Sequence, residues 1–275
     1  MDYIIVNGEI IKKQEAGFTP FFWDEPFVIS QKMWFGFGGI PLFTENMAEI
    51  KTVLKVLNIV IPDTLNDEHE LFRITKRMLN KNRYFRSGII TCQVFVGQTE
   101  TNTIISGFAF SEFDFPVSKQ GMLINFSEFE KYSSNPLNQF AFFNSSFWKF
   151  AKGRNFETAF DNSILLNEKG AICECISSNI FLLKGKVIYT PSVVTGCYID
   201  SLRSLVIDSA KKTYLSVVES EGITKEDVFQ MDEIFLAGEE HGIQLILGAE
   251  NKRFVHNFSR KIHQNLNEYL KSKVK

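Results

Sequence analysis

Two rhythms of apolar and polar residues run along this chain, and they set most of its elements. Short apolar stretches bounded by glycine and asparagine carry the strand pattern. The first pair is Tyr3-Ile4-Ile5-Val6 and Glu9-Ile10-Ile11, joined by Asn7-Gly8, a residue pair suited to a tight hairpin turn. Another strand or two is expected over 26–37, ending at Gly38-Gly39. Residues 44–57 change to helical spacing. There Met47, Ile50, Leu54 and Leu57 recur at threes and fours, and Thr44 is placed to cap the helix. A second helix is expected over 67–80, with Leu71, Ile74, Met78 and Leu79 apolar, followed by strands over 88–97 and 103–110. This is an α+β pattern with an antiparallel sheet.

A short strand at 122–126 leads into the polar, proline-bearing stretch KYSSNPLNQ at 131–139. The domain boundary is expected between 115 and 135, giving a small α+β domain over 1–118 and a larger mixed α/β domain over 119–275. The second half reads as a helix at 142–158 and strands at 162–167, 171–175, 179–183 and 187–189. A helix at 201–214 and strands at 216–219 and 233–237 follow. A last helix at 257–271 carries Phe258, Ile262, Leu266, Tyr269 and Leu270. No internal repeat or low-complexity segment interrupts the pattern.

Composition narrows the classes. With 275 residues the chain can bury a large core, and a net charge of −2 with interspersed signs gives no reason to expect nucleic acid or an anionic membrane as partner. The apolar runs are too short to span a bilayer, and the first residues show no cleavable leader pattern. Four cysteines, Cys92, Cys173, Cys175 and Cys197, fit reduced, buried thiols in a cytoplasmic protein better than a metal clamp. The four histidines, His69, His241, His256 and His263, are scattered, which fits surface or structural roles. The 28 phenylalanines suit a core and a subunit interface. No phosphate loop and no dinucleotide fingerprint occurs. Glu239-Glu240-His241, just past a predicted strand, is the densest polar group in an apolar stretch, at a place where sites are commonly built.

Four segments carry a resemblance. They are NPLNQFAFFNSSFWKFAKGRNFETAFDNSILL (135–166), GAICECISSNIF (170–181), VIYTPSVVTGCYIDSLRSLVIDSA (187–210) and DEIFLAGEEHGIQLILGAENKRF (232–254). In this order and spacing they resemble the class IV aminotransferases, the fold-type IV enzymes that use pyridoxal phosphate. The most similar branch is the aminodeoxychorismate lyase and branched-chain aminotransferase group. The resemblance is weak over the first 115 residues and strong from 135 to 254. It implies the two-domain α/β architecture of that fold, a homodimer, and a cofactor cleft between the domains that could take a small molecule.

Such a cofactor needs a lysine for its aldehyde, an acid beside its pyridine nitrogen, and an arginine, a helix start and hydroxyls for its phosphate. The resemblance puts Glu174 at the pyridine-side acid and keeps the Ser177-Ser178-Asn179 turn. It puts Ala141 at the lysine position. The family's first-helix histidine and arginine fall on Asn46 and Glu49, and the later phosphate-binding threonine falls on Glu239. The helix start, roughly Gly-Ile-Thr-Arg in the family, is Asp200-Ser201-Leu202-Arg203, so the arginine is kept while the glycine and hydroxyl are not. A phosphate carries about −2. A unit pair at about 4 Å and an effective dielectric of about 20 is worth about 4 kcal/mol, so Glu49, Asp200 and Glu239 oppose it strongly. Lys149 and Lys152, two and three turns on from Ala141, do not reach back to its place.

The resemblance with these departures implies a homologue that has lost the cofactor's chemistry, either a pseudoenzyme or a repurposed binding cleft. The other reading is a working aminotransferase or aminodeoxychorismate lyase acting on an amino acid or amino-chorismate, either with a different anchor or represented here by a lysine-less variant. A narrower expectation is that Glu49, Asp200 and Glu239, with Glu240 and His241, gather oxygen ligands for a cation or an amine.

Overall fold

The computed structural model describes residues 2–17, 27–98, 100–118, 120–154 and 158–274. Their contacts divide the chain into two compact units, Met1–Phe115 with Leu270–Lys275, and Pro116–Tyr269.

The first unit is a five-stranded antiparallel sheet with helices. Strands β1 (Tyr3–Val6) and β2 (Glu9–Lys12) form the expected hairpin. Asn7 and Gly8 both take positive φ, 47° and 88°, as a two-residue turn requires. Strands β3 (Phe27–Phe35), β4 (Gly88–Val96) and β5 (Thr101–Ala109) complete the order β2-β1-β5-β4-β3. Pro26, placed at the start of an expected strand, lies outside the described residues. Helix α1 (Phe43–Val56) buries Met47, Ile50 and Leu54 as its spacing predicts. Thr44 is not its cap: the helix starts one residue earlier, and the preceding residue, Leu42, makes no side-chain cap. A short α2 (Asp63–Asn66) leads to α3 (Glu68–Lys81), where the Asp67 carboxylate accepts the Glu70 N–H at 2.9 Å.

The second unit is built on a nine-stranded mixed sheet. Its strands are β6 (Met122–Lys131), β7 (Asn162–Asn167), β8 (Ile172–Cys175), β9 (Asn179–Lys184), β10 (Val187–Pro191), β11 (Ser216–Ser220), β12 (Glu233–Gly238), β13 (Gly242–Ala249) and β14 (Lys252–Arg253). The order is β11-β10-β9-β12-β13-β6-β7-β8, with β14 paired to β13. The pairs β10/β11, β13/β6 and β6/β7 are parallel. Helices α4 (Ala141–Gly153), α5 (Ser201–Lys212), the short α6 (Lys225–Val228) and α7 (Phe258–Lys273) complete the elements. The helix expected over 142–158 thus ends at Gly153, and residues 155–157 lie outside the described set.

Two differences from the sequence expectation matter below. Strand β6 runs five residues further than expected, to Lys131, because a register shift between Phe126 and Glu130 carries its pairing with β7 onward. Strand β13 was not expected. It turns Glu239-Glu240-His241 into the hairpin turn between β12 and β13.

Strands β7, β8 and β12 are buried at every position, and β9 at all but its last. That explains their near-continuous apolar runs. It also means that each polar residue within them needs a partner inside the protein. Glu233 on β12 finds three, accepting the N–H groups of Asn257, Phe258 and Ser259 at the start of α7. Glu174 on β8 is the other buried acid of these strands.

Candidate functional site

Glu174 is placed by an irregularity in its strand. Cys173 is an extra residue in the β7/β8 ladder: Glu174 sits opposite Leu165, while Ile172 sits opposite Leu166. Such a bulge re-aims the neighbouring side chain. The Glu174 carboxylate is fully buried and is met by three donors. The Trp148 indole N–H donates to Oε1 at 2.7 Å, and the Lys131 ammonium and the Tyr198 backbone N–H donate to Oε2 at 2.8 and 2.6 Å.

Those donors come from three elements. Lys131 is the last residue of β6, and Trp148 lies on the inward face of α4. Tyr198 follows Gly196, whose φ of +80° and close approach to Asn138 and Ser133 leave no room for a side chain. The Trp148 and Tyr198 rings meet edge to face at 4.9 Å. Ala141 packs against the cluster of Trp148, Ala151, Leu165, Ile176 and Tyr198. Ala141 therefore packs on the cluster whose Trp148 and Tyr198 supply donors to Glu174. Lys149 and Lys152 are exposed on the same helix and take no part.

Two residues beyond Tyr198, Asp200 begins α5. Its Oδ1 accepts the Arg203 backbone N–H at 3.0 Å and the Asn179 side-chain N–H at 3.0 Å. Its Oδ2 accepts the Glu239 backbone N–H at 3.1 Å. Burial holds the Asp200 carboxyl up at about 6, against an ordinary value of 3.8. The N–H donors of Glu239 and Arg203 and the Arg203 charge pull it partly back.

Arg203 is buried, and its guanidinium points into the protein. It donates to Thr190 Oγ1 at 2.9 Å, to the Pro191 carbonyl at 2.6 Å and to Glu219 at 3.0 Å, with a longer contact to Asn179 Oδ1 at 3.4 Å. Ser201 is half-buried at the first helical position, and Leu202 is buried.

The structure thus brings Glu174, Asp200, Arg203 and Glu239 into one unit, linked by the segment 196–203 and by Asn179. Glu49 belongs to the first unit, on α1, where Gln31 donates to its carboxylate at 3.2 Å and to Asn46 at 2.7 Å. Glu49 thus falls in a different unit from Asp200 and Glu239. Among the described residues no three His, Cys, Asp or Glu side chains are grouped to hold a metal ion. His241 lies in the β12–β13 turn, 3.8 Å from Glu240. The four cysteines are free and buried, and burial pushes the Cys92 thiol up to about 12 and raises the other three. The first unit has a pocket of its own, about 770 Å³, lined by residues that include Phe43, Glu45, His69, Phe72 and Lys273.

Sequence reasoning missed Lys131, Trp148, Asn179 and Tyr198 as partners of the acids. Lys131 closes the run Glu128-Phe129-Glu130-Lys131, which reads as a solvated strand end. The usable signal was the buried acid itself, since a glutamate inside a closed strand demands a donor set.

A sequence profile of the family described as Amino-transferase class IV matches residues 38–247. The aminodeoxychorismate lyase of Bacillus subtilis (strain 168) is 26% identical over 223 residues, 76% of this chain and 73% of that protein. The branched-chain aminotransferase of Thermobaculum terrenum in its PLP form has the same fold, with a TM-score of 0.84, 18% identity, and coverage of 99% of this chain and 94% of that one. A putative 4-amino-4-deoxychorismate lyase from Legionella pneumophila follows at a TM-score of 0.77 and 19% identity, covering 89% and 92%.

Proposed function

The chain belongs to the class IV aminotransferase family, and from that membership we propose that it is a member that has given up pyridoxal phosphate chemistry and acts as a binding or partner subunit. The observation that carries the reading is the state of Glu174. An acid that serves a pyridine nitrogen must offer it an oxygen. Here Oε2 accepts from both Lys131 and the Tyr198 N–H, and Oε1, which accepts from Trp148, is closed to further donors by the full burial of the side chain. The residues present do not fit the cofactor at its other end either. The backbone N–H groups of Arg203 and Glu239 donate to Asp200, and the Arg203 guanidinium is spent on Thr190, Pro191 and Glu219. Ala141 supplies no amine.

Incubation with pyridoxal phosphate, followed by gel filtration and a visible spectrum, tests this. The expected result is a colourless protein. Bound absorbance, or pyridoxamine phosphate recovered from the protein, sinks the reading.

A second reading has one observation behind it. Lys131 is a buried lysine in the same unit as the family segments, so a cofactor enzyme with a relocated anchor would use it. Its Nζ is already engaged by the buried Glu174 carboxylate at 2.8 Å, and this favours the first reading. We further propose a homodimer in a reducing, cytoplasmic setting, which the four buried free thiols support. No helix among the described residues is long and apolar enough to cross a membrane.

A further inference from the structure

The start of α1, one face of α3 and the end of α7 wall a pocket of about 770 Å³. Small-molecule sites commonly measure about 300–1,000 Å³. Every residue of its lining belongs to the first unit. Asn46 and Glu49, the α1 residues that fall on the family's cofactor positions, do not line it. One wall is closely fitted: a Cβ on Gly39 would collide with Val274, so a glycine is needed for that side chain to seat.

The floor is aromatic. Phe43 is buried and Phe72 half-buried, and their rings meet edge to face at 5.2 Å and 76°. Such a pair can take a third ring on its open side. The charges around it do not balance. Glu45 is paired with Lys273 at 3.2 Å, and Glu68 with Lys51 at 2.6 Å. Lys76 is left over. It lies one turn beyond Phe72 on α3, half-buried, with its ammonium 5.9 Å from the centre of that ring. Among the described residues no carboxylate forms an ion pair with it. The two acids are thus already answered by lysines, and the cation beside the aromatic floor is not.

We infer that this pocket binds a small carboxylate that carries an aromatic ring. The ring lies on Phe43 and Phe72, and the carboxylate meets the Lys76 ammonium. A cationic ligand would have to displace Lys51 or Lys273 from its acid, and a neutral one would leave Lys76 unanswered. The site stands apart from the reading of Glu174, so a coloured or a colourless protein leaves it untouched.

The test is calorimetric titration of the full-length protein with phenylacetate, phenylacetamide and phenethylamine. These probes share a ring and carry a negative, a zero and a positive charge. Phenylacetate should bind best and phenethylamine worst. Lys76→Gln should weaken phenylacetate about tenfold or more and bring it level with phenylacetamide. Phe72→Ala should weaken both of these probes. Lys186→Gln, an exposed turn lysine of the second unit, should change nothing. Thermal unfolding of each variant shows that it is folded, and the Lys76→Gln comparison decides the matter if Phe72→Ala is not. No phenylacetate binding at millimolar concentration, equal binding of the amine, or phenylacetate affinity unchanged in Lys76→Gln overturns the inference.

Discussion

The ammonium of Lys131 and the carboxylate of Glu174 meet at 2.8 Å, with side chains only 3% and 0% exposed. A pair this deep gains little over a well-packed apolar pair, but breaking it leaves a lone charge in the interior. Lys131→Met should therefore cost about 3–5 kcal/mol. Lys131→Met with Glu174→Gln should recover part of that loss: the amide removes the charge and keeps an acceptor for Trp148, while its NH2 group cannot accept the Tyr198 N–H. Urea midpoints of the two single variants and the double variant check it. Additive losses would mean that the two residues act separately.

Restoring a lysine should not restore the chemistry. In Ala141→Lys the new amine arrives at a unit where Glu174 already has Lys131, and Asp200 already holds the Arg203 and Glu239 N–H groups. A phosphate set about 4 Å from the Asp200 charge at an effective dielectric of about 20 meets about 4 kcal/mol of repulsion per unit charge, about a thousandfold in affinity. The expected outcome is a variant that stays colourless with pyridoxal phosphate. Adding Asp200→Gly should then give the larger gain in binding, read by absorbance titration.

Asp200 should also leave a mark on the pH dependence of stability. Its folded carboxyl titrates at about 6 and its ordinary value is 3.8. Between those values the folded state holds more protons than the unfolded one, so ionising Asp200 opposes folding. Its contribution favours the folded state most at and below about pH 4 and is lost as the pH rises through about 6. The two-unit difference is about 3 kcal/mol at most. The charge that acts on it is Arg203 on its own helix, while Glu239 on the β12–β13 turn meets it through the backbone N–H. Exposed acids such as Glu70 and Glu168, whose carboxyls are lowered by Arg73 and by Ser133, change the total in the opposite sense. The native curve minus that of Asp200→Asn isolates the term. A flat difference between pH 4 and 7 would rule it out.

Much of the fold is legible in the chain, and the reasons are local. Asn7-Gly8 permits one kind of turn, and the α1 stripe of Met47, Ile50 and Leu54 leaves one face to bury. The family segments locate Glu174, Asp200, Arg203 and Glu239 in one unit. What the residues alone do not reveal is who answers them. Lys131 reaches Glu174 across 43 positions, and Glu239 reaches Asp200 across 39. Neither pairing has a spacing that a helix or strand period would flag. Both depend on irregular features, the β6 register shift and the β13 hairpin, which periodicity does not encode. The same blindness makes Arg203 look like a phosphate ligand, because sequence gives its position on the helix but not the direction of its guanidinium.

The buried thiols give a separate check on the packing. Cys92, Cys173, Cys175 and Cys197 are buried, and all four are pushed toward the neutral thiol, which does not react as a nucleophile. In the native protein at pH 8 a disulfide reagent should titrate none of them quickly. In denaturant it should find all four. A fast native thiol would show that one of these sites opens to solvent.

Arg203 gives the sharpest contrast between a resembled role and an observed one. If its guanidinium served an anion at the start of α5, its loss would cost binding and little stability. The structure spends it on the Thr190 hydroxyl, the Pro191 carbonyl and Glu219. Arg203→Ala strands buried acceptors, and each such acceptor costs about 1–3 kcal/mol, so a total of about 2–4 kcal/mol is expected. Glu219 is half exposed at 53%, so Glu219→Gln should cost no more than about 1 kcal/mol. Arg203→Lys should fall near the alanine variant, since one ammonium cannot span the Thr190, Pro191 and Glu219 acceptors as a planar fork does. Chemical denaturation of the three variants orders them. A lysine variant as stable as the native protein would return Arg203 to the role its sequence position suggests.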